Sequence, residues 1–275
     1  MQLHADAQTS TWSTQAVRTG SQLPLLMLRL VILLSIALTQ FLSSSGPVRS
    51  DQVTMEISSG DETATVIFAH GLGDTPTGWH SFAEEAKKYL PHVRWILPCA
   101  PQNPVSVNGG MKMTSWMDIL QIPIGIKSPD NGKHIDNSVA MIHSIIDAEI
   151  KKGIPGDRIV IGGFSQGAAL APVSAFRYSK ANLGGIIMLS GWALPQQDIS
   201  ELAAKSLSSN PPVFIGHGDS DEVVLTENAG HVQSLLAKVG FEKVTVNLYH
   251  SLGHGMADKE QRDVIDWLAK VLPVQ

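Results

Sequence analysis

The chain has 275 residues, of which 43% are apolar and 16% charged, with 24 glycines, 15 prolines and a single cysteine. This composition excludes a disordered chain, and the lone cysteine excludes an internal disulfide framework and a multi-cysteine zinc site. The formal net charge of −5 argues against a nucleic-acid partner, because binding one requires a basic face. The charge is unevenly spread: residues 1–50 carry a net of +2, so the remainder carries −7.

An apolar segment runs from Leu23 to Leu42, with 15 apolar residues out of 20. A helix of about 20 apolar residues can just cross a bilayer, but Arg29 interrupts this segment and shortens its apolar core. A basic residue, a short apolar run and then small residues are typical of a secretory signal peptide. Three interpretations stay open: a signal sequence, an N-terminal membrane anchor, or a gene-model extension before a soluble protein that begins near Met55. The first two predict entry into the secretory pathway or membrane association.

Three regions are predicted along the chain: a disordered leader over 1–22, the apolar segment with a linker over 23–50, and one α/β domain over 51–275. Within the last, short β-branched runs alternate with segments of helical periodicity, which is typical of a parallel sheet covered on both faces. The predicted strands are 64–69, 93–97, 158–162, 185–189, 212–215 and 244–249. The predicted helices are 82–89, 138–150, 166–176, 228–239 and 259–271. The stretch 98–132 is too long for an ordinary connection and is predicted to face the substrate.

The sharpest local motif is Gly163-Phe164-Ser165-Gln166-Gly167, a G-x-S-x-G pentapeptide between a β-branched run and a helical segment. This is the strand–turn–helix context of a nucleophile elbow, a turn so tight that it requires glycine on either side. The serine would stand at a helix N-terminus, whose free N–H groups favour developing negative charge. A phosphate-binding loop is disfavoured because no lysine follows the motif. Ser165 is therefore predicted to be a catalytic nucleophile.

A nucleophilic serine needs a base, and the base needs a carboxylate that orients it. After a nucleophile elbow these residues follow in the order Asp, His, each in a loop after a later strand. The loop after the fifth predicted strand contains Asp219 and Asp221, and the loop after the sixth contains His250 and His254. His254 is favoured as the base because glycines flank it in an exposed loop. Spacing alone does not choose between the two aspartates.

Two further histidines lie at strand ends. His70 precedes a Gly-Leu-Gly loop and is interpreted as shaping it, whereas His217 is interpreted as a packed, hydrogen-bonded residue. The spacing of His250 and His254 could suggest a metal site, but no glutamate stands at the H-E-x-x-H position. No metal is predicted.

Together these residues resemble the acyl-protein thioesterases of the phospholipase/carboxylesterase family, within the α/β-hydrolases. The resemblance runs from about Ala64 to Leu272 and rests on residues 66–75 with Trp79, 98–101, 115–118, 153–155 with Arg158, 162–167, 217–219 with Asp221, and 253–254. It implies an α/β-hydrolase fold, with a mostly parallel central sheet, helices on both faces and no large cap domain. The chain departs from the family at Ala168, where glycine is frequent, and in its apolar leader, since typical members are cytosolic.

Transferred residue by residue, the resemblance implies a catalytic triad of Ser165, Asp221 and His254. It places the oxyanion donors at the backbone N–H groups of Leu72 and Gln166. The implied activity is that of a serine hydrolase which cleaves fatty-acyl thioesters on protein cysteines, so that S-acylated proteins or acyl lipids are substrates. The reaction passes through an acyl-enzyme and needs no metal or cofactor.

A long acyl chain needs an apolar channel, because each buried CH₂ contributes roughly 0.8 kcal/mol to its binding. Apolar residues of the stretch 98–132 are candidates to line it, among them Met113, Trp116, Ile119 and Ile122. Ordinary core packing explains the same residues equally well. Two other functions stay open: a broad carboxylesterase or lysophospholipase with the same triad, and a non-catalytic hydrolase fold that binds a ligand. The sequence does not indicate an oligomeric state.

Overall fold

The computed structural model describes residues 54–208 and 210–275. The predicted leader 1–22 and the apolar segment 23–42 therefore lie outside the described residues. No helix within the two described ranges is long and apolar enough to span a membrane.

Seven strands form the central sheet, and two more form a separate hairpin. The strands of the described residues are β1 (Met55–Ile57), β2 (Ala64–Ala69), β3 (Val93–Leu97), β4 (Gln102–Val105), β5 (Met111–Thr114), β6 (Ile159–Phe164), β7 (Gly185–Leu189), β8 (Val213–Gly218) and β9 (Val244–Tyr249). The sheet order is β1-β3-β2-β6-β7-β8-β9, and β4 pairs only with β5. Every neighbouring pair in the sheet is parallel except β1 with β3.

Helices cover both faces of this sheet. They are α1 (Thr77–Tyr89), α2 (Ile135–Lys151), α3 (Gln166–Arg177), α4 (Ile199–Lys205), α5 (Glu227–Ala237) and α6 (Asp258–Val271). Because successive side chains of a strand point to opposite faces, Val66 and Phe68 pack with α1 and α6 while Ile67 packs with α2 and α3. Strands buried in this way on both faces must be apolar throughout, as the sequence pattern indicated.

The predicted fold class, a mostly parallel sheet with helices on both faces, is confirmed. All six predicted strands and all five predicted helices are present, with ends that differ by up to five residues. The helix predicted from Ser138 begins three residues earlier, at Ile135, and the hydroxyl of Ser138 donates to the carbonyl of Trp116. The described residues contain no separate domain over the carboxyl edge of the sheet.

The sequence analysis missed three strands and one helix. Strand β1 has three residues, α4 has seven, and β4 reads Gln-Asn-Pro-Val, so none of them carries a readable periodicity. Strands β4 and β5 lie inside the stretch 98–132, which is therefore partly ordered as a hairpin.

The topology determines where a site can form. Strands β6, β8 and β9 run parallel, so the loops that follow them emerge at one edge of the sheet. Ligands of open α/β sheets bind at this carboxyl edge. Ser165, Asp221 and His254 each follow one of these three strands.

Candidate active site

Ser165 lies on the turn between β6 and α3. Its φ of 53° and ψ of −115° are strained for a residue with a side chain, and strain of this kind is concentrated at functional sites. A Cβ on Gly163 would lie 2.3 Å from the carbonyl carbon of Gly167, and one on Gly167 would lie 2.0 Å from the carbonyl oxygen of Ala69. Only glycine fits at either position, so the predicted steric reason for the motif is present.

A chain of hydrogen bonds joins the three residues predicted as the triad. The hydroxyl of Ser165 donates to Nε2 of His254 over 3.0 Å. The Nδ1–H of His254 donates to Oδ2 of Asp221 over 2.8 Å. The tautomer of His254 follows, because a carboxylate can only accept, so Nε2 is left with a lone pair for the serine proton. This is the geometry that a base needs to activate a hydroxyl.

Asp221 is buried, and its remaining lone pairs are occupied. The N–H groups of Val223 and Val224 both donate to Oδ1 over 2.9 Å. Burial raises the pKa of Asp221, but hydrogen bonds from His217, from His254 and from the N–H of Val224 outweigh burial and hold the pKa well below its usual value. The carboxylate is therefore ionised and ready to stabilise an imidazolium.

The loop that carries His254 is held against the loop that carries Asp221. A Cβ on Gly218 would lie 2.1 Å from the carbonyl oxygen of Leu252, so glycine at the end of β8 permits the two loops to approach. The N–H of Ser220 donates to the same carbonyl over 3.0 Å. On its other side the ring of His254 packs on Phe164, with centroids 4.7 Å apart and planes at 44°.

Two backbone N–H groups next to Ser165, those predicted as oxyanion donors, have no hydrogen-bond acceptor among the described residues. Gln166 is the first residue of α3, so its N–H has no partner within the helix. In the turn after β2, the N–H groups of Gly73 and Asp74 are occupied, and the described residues offer no acceptor to that of Leu72. A Cβ on the adjacent Gly71 would lie 3.4 Å from Cβ of Ser165, which places this turn beside the serine.

His70 fixes the turn that contains Leu72. Its Nδ1–H donates to the carbonyl of Gly71 over 2.7 Å, and its Nε2 accepts from the N–H of Ala100 over 3.0 Å. The indole N–H of Trp116 donates to the carbonyl of His70 over 2.8 Å. Burial lowers the pKa of His70, so the ring is neutral and serves as a structural link. The structure thus places His70 where the sequence interpretation required it.

The residues predicted to line an acyl channel differ in their surroundings. Trp116 and Met113 are buried in the core, and Ile122 packs on its edge. Ile119 does line a cavity, together with Ile124, Trp192 and Leu194 and several polar residues of the same loop. That cavity measures about 20 Å³, which holds one water molecule rather than an acyl chain. Binding a long chain at this place requires the loop to move.

The sequence analysis missed the role of two neighbours of Ser165. The side chain of Gln166 is buried and ties the elbow to the start of the long loop: it accepts from the N–H of Trp116 and donates to the carbonyl of Met117. Phe164 packs on both His254 and Trp79. Both occupy the variable positions of G-x-S-x-G, where the motif itself carries no signal.

Comparison with known proteins shows to which family the chain belongs. Residues 51–272 match the family model described as phospholipase/carboxylesterase. The chain belongs to the phospholipase/carboxylesterase family. It is 40% identical over 217 residues to acyl-protein thioesterase 1 of Neurospora crassa, covering 77% of this chain and 88% of that protein. It is 38% identical over 209 residues to acyl-protein thioesterase 1 of Yarrowia lipolytica, covering 75% and 91%.

Solved structures of other proteins share the fold. The crystal structure of Zea mays acyl-protein thioesterase 2 aligns with a TM-score of 0.70 at 31% identity, covering 80% of this chain and 99% of that one. Arabidopsis thaliana SOBER1 aligns with a TM-score of 0.70 at 31% identity, covering 76% and 99%.

Proposed function

We propose that this phospholipase/carboxylesterase family member is a serine hydrolase that cleaves fatty-acyl thioesters on protein cysteines. The observation that carries the proposal is the hydrogen-bonded chain from Asp221 through His254 to Ser165. Relatives named acyl-protein thioesterase 1 at 38–40% identity support the substrate class. S-acylated proteins are therefore the proposed substrates, and acyl lipids are further ones.

In the acylation half-reaction, Oγ of Ser165 attacks the carbonyl carbon of the thioester while Nε2 of His254 takes its proton. The carboxylate of Asp221 keeps the imidazole in the Nδ1–H tautomer and stabilises the imidazolium that forms. The N–H groups of Leu72 and Gln166 donate to the developing oxyanion, and each such donor lowers the barrier by about 2.7–4 kcal/mol. The tetrahedral intermediate collapses, the cysteine sulfur leaves, and the imidazolium supplies its proton.

In the deacylation half-reaction, water replaces the cysteine. Nε2 of His254 takes a proton from the water, whose oxygen attacks the carbonyl of the acyl-Ser165 ester. The same two N–H groups hold the second oxyanion, and the fatty acid leaves as the proton returns to Oγ. These steps use only side-chain and backbone groups of the described residues.

Substitution of the nucleophile tests this proposal. Ser165→Ala should abolish hydrolysis of a palmitoyl-thioester peptide and labelling by a fluorophosphonate probe, because both need an activated hydroxyl. Ser174→Ala is the matched control, since Ser174 is a buried serine of α3 whose hydroxyl has no hydrogen-bond partner among the described residues. Labelling of Ser165→Ala at the wild-type rate would show that another residue is the nucleophile.

The family description, phospholipase/carboxylesterase, supports the alternative of a broad carboxylesterase with the same triad. Comparing kcat/KM for a palmitoyl-thioester peptide with that for a short-chain ester decides between the two. A chain that fails to label with fluorophosphonate at all would instead be a non-catalytic binding protein.

We propose that residues 51–275 form the catalytic domain and that the apolar segment 23–42 directs the chain to a membrane or the secretory pathway. All proposed site residues follow residue 64, which supports this division. Deleting residues 1–54 should therefore leave an active enzyme. Fractionation of the tagged full-length chain with N-terminal sequencing separates a cleaved signal from an anchor, and a truncated chain that cannot fold would refute the division.

A further inference from the structure

His217 is a second imidazole next to Asp221. It lies on β8, four residues before the aspartate, and its side chain is fully buried. Its Nε2 is 2.8 Å from the carbonyl oxygen of Val224 and 3.5 Å from Oδ2 of Asp221. Oδ2 is also the oxygen that accepts from His254. The proposed catalytic carboxylate thus lies between two histidines, of which only one contacts Ser165.

The partners of His217 determine its tautomer. Both groups near Nε2 are acceptors, so Nε2 carries the hydrogen. Nδ1 is buried and has no hydrogen-bond partner among the described residues, so a proton there would be buried without compensation. His217 therefore presents one N–H, shared unequally between Val224 and Asp221 as a three-centre hydrogen bond.

This N–H closes a ring of contacts around the turn 221–224. Asp221 accepts from the N–H groups of Val223 and Val224 through Oδ1, which fixes the start of the turn to its end. The carbonyl of Val224 then accepts from His217, which anchors the end of the turn to β8. Without this donor, the carbonyl of Val224 loses its buried partner, and the turn is held only from its other side, where the N–H of Ile124 donates to the carbonyl of Val223 over 2.8 Å.

We propose that His217 is a positioning residue: its Nε2–H holds the turn and the carboxylate of Asp221 so that Oδ2 points at Nδ1 of His254. This inference rests on the proposed Ser165–His254–Asp221 triad. His217 does not touch the substrate in this scheme, and it takes no proton during the reaction. Its effect reaches the reacting atoms through the geometry of one carboxylate.

Two substitutions of His217, one that removes its N–H donor and one that keeps a donor, test the inference. His217→Leu should lower kcat on a palmitoyl-thioester peptide on the order of 10²-fold with KM nearly unchanged, the cost of a small misplacement remote from the reacting atoms. His217→Gln keeps an N–H donor on its side-chain amide and should recover most of that loss. The acid limb of kcat/KM, which reports protonation of His254, should move to lower pH in the leucine variant, because a rotated carboxylate stabilises the imidazolium less. In the glutamine variant the acid limb should return to its wild-type position.

His92 supplies a matched control at the opposite edge of the sheet. Its Nε2 also hydrogen-bonds to a backbone carbonyl, that of Leu272 at 2.7 Å, and its Nδ1 is likewise buried without a partner. His92→Leu should lower the melting temperature without moving the acid limb. If both leucine variants lose stability and neither moves the limb, His217 has only a packing role and the inference is wrong.

Two further measurements separate this inference from the proposed function. Asp221→Asn is assayed in parallel: if it retains turnover, the triad itself fails, whereas if it loses turnover and His217→Leu does not, only the inference fails. Should His217→Leu not fold, ¹⁵N NMR of histidine-labelled wild type decides. The inference requires the hydrogen of His217 on Nε2, and finding it on Nδ1 would overturn the assignment.

Discussion

Two aspartate–histidine pairs lie in neighbouring loops of this molecule, and their hydrogen bonds are nearly identical in length. Nδ1 of His254 lies 2.8 Å from Oδ2 of Asp221, and Nδ1 of His250 lies 2.9 Å from Oδ2 of Asp219. Their surroundings differ. The side chains of the first pair are 0% and 18% exposed, whereas those of the second are 36% and 92% exposed. Chain order and residue type do not distinguish the pairs; burial does.

Burial changes what the same hydrogen bond can do. Water and salt screen a charge pair at the surface, whereas a pair removed from water interacts more strongly. The buried pair also has a third member, because the other ring nitrogen of His254 accepts from Ser165. The exposed pair instead secures a loop: Asp219 accepts from the N–H of Ser251 and from the hydroxyl of Ser220. Proton transfer is the role that we propose for the first pair, whereas the contacts of the second pair hold a loop in place.

The largest expected effect comes from breaking the buried pair. Asp221→Asn should lower kcat by about 10⁴-fold, because an amide favours the wrong tautomer of His254 and cannot stabilise the imidazolium. Steady-state kinetics on a thioester and an oxyester, with circular dichroism to verify folding, measure it. A well-folded Asp221→Asn with near-normal turnover would move the catalytic acid to Asp219 and reverse the comparison.

The next effect concerns stability near the buried pair. Glu260 of α6 is fully buried against Gly216 of β8, and neither carboxyl oxygen has a hydrogen-bond partner among the described residues. Burial raises the pKa of Glu260 to about 7, and the negative charges of Asp263 and Asp221 add to the rise.

This raised pKa makes the folded state hold a proton that the unfolded state releases. Between about pH 4.5 and 7 the folded state binds more protons than the unfolded state. The free energy of unfolding therefore falls through this range as pH rises, and it stays lowered above pH 7. Glu260→Gln removes the titration and should stabilise the protein by about 3 kcal/mol at pH 8, with little change at pH 4. Urea unfolding at several pH values measures the difference.

A buried glutamate with partners provides the control. Glu149 accepts from the hydroxyl of Thr65 and pairs with Lys152 at 2.8 Å, so Glu149→Gln should lower stability rather than raise it. Equal responses of the two variants at all pH values would contradict the prediction for Glu260.

A smaller effect is expected from the aromatic packing that only the buried pair has. Phe164→Leu removes the ring on His254 and, with it, about 1 kcal/mol of aromatic interaction, which corresponds to a roughly fivefold lower kcat. Phe176→Leu removes a similar contact with Phe241 in the hydrophobic core on the other face of the sheet, and it should lower stability without lowering kcat. Equal kcat values for the two variants would show that the ring of Phe164 only fills space.

These residues also mark the limit of what the sequence predicts. The strands and the positions of Ser165, Asp221 and His254 could be predicted, because buried parallel strands are apolar throughout and the loops after them meet at one edge. Choosing Asp221 over Asp219 needed the family resemblance, since both lie in the same loop. The contacts of His217 and Glu260 could not be predicted, because those of His217 depend on how the turn 221–224 folds back onto β8 and those of Glu260 on how α6 packs against β8.

The smallest effect should come from the exposed pair, and it completes the comparison. Asp219→Asn removes a charge that holds His250, and hydrogen bonds from His250 and Ser220 keep the pKa of Asp219 below its usual value. Because both side chains reach water, kcat should stay within about twofold of wild type, and the melting temperature should fall slightly through the loss of the loop contacts to Ser251. Salt screens surface charges, so the difference in melting temperature between wild type and Asp219→Asn should shrink as ionic strength rises. The activity difference between wild type and Asp221→Asn should not respond to salt in this way, because that pair is buried. A salt-sensitive loss of turnover in Asp219→Asn would mean that the exposed pair acts on the reaction, and burial would then no longer separate the two pairs.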